Sequence, residues 1–202
     1  MKAKLLLSAL LLALISSYAI SQEDILTLNP VLTEKPWLDR DVKIINGYSI
    51  TQLFGEQPSK YRHMNFGPIT SIAYSSLIDL KSEIEEKGKA NNWSKEEIEK
   101  KKAALEENAI GGAIDVFISR YVESRANFKW FFLIIRNEDE KKISEIQMGY
   151  QAPEMPEGNG WWNYKRILLE KNQGLPFFVY LNDKLSDHLS DFKFEVKVNS
   201  EQ

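Results

Sequence analysis

The run Phe128-Lys129-Trp130-Phe131-Phe132-Leu133-Ile134-Ile135 sets the tightest limit on how this chain can fold. All of its residues but Lys129 are apolar, and aromatic and β-branched types dominate. A membrane-spanning helix needs about 20 such residues, and this shorter composition favours a strand. Strand side chains alternate between two faces. Phe128, Trp130, Phe132 and Ile134 therefore share one face, and Phe131, Leu133 and Ile135 share the other. Both faces are apolar. The run predicts the central strand of a sheet with a layer packed on each side.

The rest of the chain supplies partners for that strand. Val42–Ile45 and Tyr48–Phe54 flank Asn46-Gly47, the favoured pair for a type I′ hairpin turn. After Pro68, the spacing of Ile69, Ile72, Ala73, Leu77, Leu80 and Ile84 predicts a helix with one apolar stripe. A second helix is predicted from Ser94, where Ser94-x-x-Glu97 forms a capping box, to Gly111-Gly112. From Ala113 the period changes to two. Strand signals then recur at Ile114–Glu123, Lys141–Tyr150, Trp161–Glu170, Pro176–Asn182 and Phe192–Val198, which reads as an antiparallel meander. The predicted fold is mainly β: an antiparallel sandwich of about eight strands, carrying a two-helix hairpin at about 69–110. The alternative is an α+β arrangement, one curved antiparallel sheet with both helices on one face.

Length and composition add bounds. The 202 residues suffice for one domain with a full core. No cysteine is present, which excludes disulfides, thiolate metal sites and cysteine nucleophiles. His63 and His188 are the only histidines, too few for a multi-histidine metal centre. The N-terminus has the order of a secretory signal: Lys2 and Lys4, then the apolar run Leu5–Ile15, then Ala19-Ile20-Ser21 with cleavage expected after Ser21. A retained anchor is the alternative, but the run is short for a span. The expected mature chain, 22–202, is a single domain. It loses Lys2 and Lys4, two of the 26 basic residues, and the remaining 24 against 29 acidic ones give a net charge of −5. A mildly acidic product located in the periplasm or secreted does not suit a nucleic-acid partner.

Catalytic signatures are missing. The chain has no Gly-x-Ser-x-Gly, no His-Glu-x-x-His, no phosphate loop and no dinucleotide fingerprint, and no cofactor is implied. Asp183, Asp187 and Asp191 recur every fourth residue, which matches no calcium loop and suits the capping of a short turn. The 29 acidic residues single out no glycosidase pair. Asn92-Trp93-Ser94 matches a glycosylation triplet, but Ser94 already has a capping role. Glu96-Lys100 and Glu97-Lys101 read as ion pairs on a solvated helix face.

The most suggestive segment is Gly158-Asn159-Gly160-Trp161-Trp162-Asn163-Tyr164. In a strand, Trp162 and Tyr164 share a face and Trp161 takes the other. If exposed, the pair forms an aromatic platform suited to a sugar ring or an extended peptide. The competing reading is core, since Ile167 and Leu169 continue the Trp161 face. Tyr61, Arg62 and His63, in a basic aromatic loop, complete the candidate ligand-binding residues. The sequence thus points to an exported, non-catalytic binding or structural module of the cell envelope, with a protein or a glycan as partner. The alternatives are a carbohydrate-binding module using Trp162 and Tyr164, and an exported hydrolase with an unrecognised acidic site.

Overall fold

The computed structural model describes residues 42–55, 69–155, 160–185 and 191–199. The segment read as a signal and the loop with Tyr61, Arg62, His63 lie outside them, as does His188. Strands β1 (Val42–Ile45) and β2 (Tyr48–Phe54) form the expected hairpin. Asn46 and Gly47 have φ of 53° and 78°, the left-handed pair that a type I′ turn requires. Nothing lies within 4 Å of a Cβ built on Gly47, so glycine answers the backbone there rather than crowding.

The further elements are β3 (Ile69–Ser75), α1 (Leu77–Ala90), α2 (Lys95–Asn108), β4 (Ala113–Arg120), β5 (Phe131–Asn137), β6 (Lys142–Gln147), β7 (Trp161–Leu168), β8 (Phe177–Asp183) and β9 (Asp191–Val198). They form two antiparallel sheets. One has the order β1-β2-β9-β8-β5-β6, the other β3-β4-β7. A shared core joins them. Ile50, Phe131, Leu133, Ile135, Val179, Leu181, Phe194 and Val196 from the larger sheet meet Ile72, Tyr74, Ile114, Val116, Ile118 and Ile167 from the smaller. This is the expected antiparallel sandwich with a helical hairpin. The described residues contain nine strands.

The hairpin makes a third layer. Leu80, Ile84, Leu105 and Ala109 of its helical region pack with Ala113 of β4, and Leu168 of β7 joins them. These two strand residues lie on the face of the smaller sheet turned away from the main core. Both helices start with full capping boxes, Ser76 with Asp79 and Ser94 with Glu97. Gly88 lets the helices approach: a Cβ there would stand 2.6 Å from Ile98 Cδ1. Among the described residues, no helix is long and apolar enough to cross a membrane.

Three expectations need correction. First, Phe128–Trp130 is a 3₁₀ turn, opened by the Asn127 side chain accepting from the Lys129 amide, and the strand begins only at Phe131. Phe131, Leu133 and Ile135 are buried, but Phe132 and Ile134 are only half-buried. Among the described residues, the outward face carries cations over its rings: Lys184 Nζ is 4.0 Å from the Phe132 centroid and Lys193 Nζ is 4.3 Å from that of Phe178. Second, the helical region starts at Leu77, not near residue 69. Residues 69–75 pair with β4 as a strand, placing Ile72 and Tyr74 in the core. Third, the C-terminal strands are not a simple meander, because β7 leaves the larger sheet to pair with β4.

Tyr74 sits where the layers meet. Its ring stands edge-on to Tyr48 at 4.8 Å and to Phe177 at 5.2 Å, and its hydroxyl donates to the Gly111 carbonyl at 3.1 Å. Burial, with a smaller contribution from Tyr48, pushes its pKa up from 10.0 to about 12. The fold thus favours the protonated phenol. Its contribution is full below pH 10.0 and is lost as the pH rises towards 12. Denaturant unfolding at stepped alkaline pH should show a shallower loss of stability for Tyr74→Phe than for the wild type across that window. Equal slopes would contradict this assignment.

Candidate functional site

Trp161, Trp162 and Tyr164 open β7, where they stand opposite Arg120, Ser119 and Phe117 of β4. Trp162 and Tyr164 share a face as strand alternation requires, but their surroundings differ. Trp162 is half-buried and stacks on Phe117, with centroids 6.0 Å apart and planes at 21°. Tyr164 is only 7% exposed, and its hydroxyl donates to Asp115 Oδ1 at 2.6 Å. Of the expected two-ring platform, only Trp162 reaches the surface. Trp161 is half-buried on the opposite face, the one that carries Asn163 and Ile167 into the interior.

Tyr164 belongs to a buried ionic cluster. Arg166 grips Asp115 with two parallel bonds, Nε to Oδ1 at 2.7 Å and Nη2 to Oδ2 at 2.8 Å. Its Nη1 donates to Glu83 Oε2 of α1 at 2.7 Å, tying the helical hairpin to the sheet. The Arg166 side chain is 2% exposed, that of Asp115 9% and that of Glu83 27%. Burial opposes the Arg166 charge, but the bonds to Asp115 and Glu83 outweigh it and hold the pKa above the usual value. Burial, reinforced by the Asp115 charge, pushes the Tyr164 phenol well up. Lys87 lies close enough to feel Glu83, Arg166 and Asp115, and burial lowers its pKa. Both Asp115 oxygens accept bonds from Arg166, which makes the pair a clamp between β4 and β7.

The sequence carried a faint signal of it. Asp115 alternates with Ile114 and Val116, which reads as a wet strand face. Its partner Arg166 is 51 residues away.

A different feature faces solvent. Beyond β4 the chain runs through Tyr121 and Val122 into a 3₁₀ turn, Glu123–Ala126. Residues 148–155 then lie along the free edge of β7. Gln151 Nε2 donates to the Tyr164 carbonyl at 2.6 Å, Asn163 Nδ2 donates to the carbonyls of Ala126 and Gln151 at 3.0 and 2.9 Å, and Glu154 and Trp162 exchange backbone bonds of 2.8 Å. Between turn and segment opens a hollow of about 350 Å³, lined by Val122, Glu123, Ser124, Asn127, Tyr150 and Pro153. Of its lining, Val122 and Tyr150 are 56% and 72% exposed, and Tyr121 and Met155, close by in sequence, are 64% and 60% exposed. No sequence motif announced the hollow, because its walls come from two loops.

Among the described residues, no group of three or more histidine, aspartate and glutamate side chains could hold a metal ion. No family model matches the chain, and neither a curated protein nor a solved structure shows significant similarity to it.

The clamp can be tested directly. Arg166→Met and Asp115→Leu should each cost about 3–5 kcal/mol of unfolding free energy, because each strands a buried charge. The double variant should lose markedly less than the sum. Strict additivity in chemical denaturation would contradict the clamp.

Proposed function

We propose that this protein is an exported, non-catalytic binding module of the cell envelope whose partner is a protein seated on the end of the sandwich around Val122 and Tyr150. The observation that carries this reading is the pair of largely exposed apolar side chains, Val122 and Tyr150, that line one hollow, with exposed Tyr121 and Met155 close to the lining residues in sequence. Tyrosine and methionine are enriched in protein interfaces and support a few strong contacts. The scaffold behind them is fixed by the bonds from Gln151, Asn163 and Glu154 to neighbouring backbone, which lowers the ordering cost of binding. Export is read from Lys2, Lys4, the run Leu5–Ile15 and the small residues ending at Ser21.

A glycan is the second reading, favoured by the stack of Trp162 on Phe117. It is weaker because Tyr164, the intended second ring, is buried and bonded to Asp115. The hydrolase reading has less support, since Asp115 and Glu83 are engaged by Arg166.

Site-specific photo-crosslinking in the native envelope tests the proposal. A photoreactive residue at Tyr150 should give a discrete protein adduct that Val122→Asp abolishes. The same residue at Ile134, on the outer face of β5, should not give it. Identical adducts at both positions, or none at Tyr150, would count against a partner at this end. Binding to a glycan array that is lost in Trp162→Ala would favour the second reading.

A further inference from the structure

We infer that the hollow beside Tyr150 receives a basic side chain, arginine or lysine, from the partner. This inference rests on the protein-partner reading above and gives it a chemistry. The first support is how the chain treats its other surface rings. Lys101 lies 4.8 Å over Trp93, Lys129 4.5 Å over Trp130, Lys184 4.0 Å over Phe132, Lys193 4.3 Å over Phe178 and Arg136 5.4 Å over Tyr180. Tyr150 is more open than any of these, at 72% exposure, and no cation of the described residues covers it. An aromatic face attracts a cation through its quadrupole, most strongly where water is partly excluded.

The second support is the lining. Glu123 is the one charged residue of its lining among the described residues, and it is acidic. Val122 and Pro153 offer apolar walls for the methylene stem of a long side chain, whose charged head would meet the carboxylate. The volume of about 350 Å³ lies at the small end for ligand pockets, which suits one side chain better than an extended ligand. Among the described residues, cations of neighbouring segments have other contacts, Lys165 included, which donates to the Met148 carbonyl. Arg120 donates to Thr70 Oγ1 at 2.9 Å and to the Ser119 carbonyl at 2.8 Å, Arg125 donates to the Leu185 carbonyl, and Lys129 lies over Trp130. None of them lines the hollow.

The test is a titration of the isotope-labelled protein, followed by amide resonances, with three blocked tripeptides: acetyl-Gly-Arg-Gly-amide, its lysine counterpart and its citrulline counterpart. Citrulline keeps the shape of arginine without the charge. The arginine and lysine peptides should shift resonances of residues 122–127 and 150–153, and the citrulline peptide should bind at least about threefold more weakly, the factor expected of an exposed cation site. Glu123→Gln should remove the preference for arginine over citrulline. Tyr150→Leu should weaken the arginine peptide by about threefold. Both positions are at the surface, and unshifted resonances of β4 and β5 would confirm intact folding. Equal binding of citrulline, shifts confined to other surfaces, or no shifts would overturn the inference. Its failure is separable from that of the functional proposal: an adduct at Tyr150 without arginine binding refutes only the basic side chain, and arginine binding without an adduct refutes only the partner.

Discussion

Strand β4 is the element on which the other layers depend, because it is buried on both of its faces. Every residue from Ala113 to Ile118 is at most 7% exposed. Ile114, Val116 and Ile118 enter the core between the sheets, while Ala113 meets the helical hairpin. Burying one such aliphatic side chain contributes about 1.5–3 kcal/mol, so the strand is stable only with both covers in place. Asp115 complicates this arrangement. A carboxylate at that depth is tolerable only when paired and hydrogen-bonded, and Arg166 and Tyr164 supply the bonds. Glu83 extends the pairing to α1. One polar residue in an apolar strand thereby fixes where the hairpin docks.

Local patterns foretold the elements better than the layers. The Asn46-Gly47 turn, the Ser94 capping box and the alternation of Phe192, Phe194, Val196 and Val198 with polar residues all describe interactions within a few residues, and the structure has each of them, except that Val198 at the strand end is 58% exposed. The two-sided strand was assigned to the wrong place. Both faces of Phe131–Ile135 are apolar in sequence, but the cation over the outer one, Lys184 above Phe132, comes from a distant position. The burial of β4 on both faces is likewise hidden, since Asp115 in its alternation has its partner Arg166 on β7. The segment 69–75 misled because isoleucine and alanine at three- and four-residue spacings imitate a helix stripe. Pairing with β4 decided the matter.

The candidate site was legible only at its margin. Trp161 and Trp162 drew attention to the start of β7, and the hollow does lie at that end of the sandwich. Val122, Glu123 and Tyr150 carry no motif and meet at the hollow because residues 148–155 are bound along the edge of β7. That same binding occupies backbone groups of an otherwise open strand, which protects it from unwanted pairing. The clamp and the covered edge thus hold the strands behind the hollow, whose rim leaves Val122 and Tyr150 open to solvent.

Native-state hydrogen exchange tests the central position of β4 most directly. The account predicts that the bonded amides of Ile114 to Ile118 exchange only through global unfolding and are the slowest in the protein, while those of the edge strand β6 exchange far faster through local opening. Amides of β4 that exchange as fast as those of β6, or a slowest set confined to β5, would contradict it.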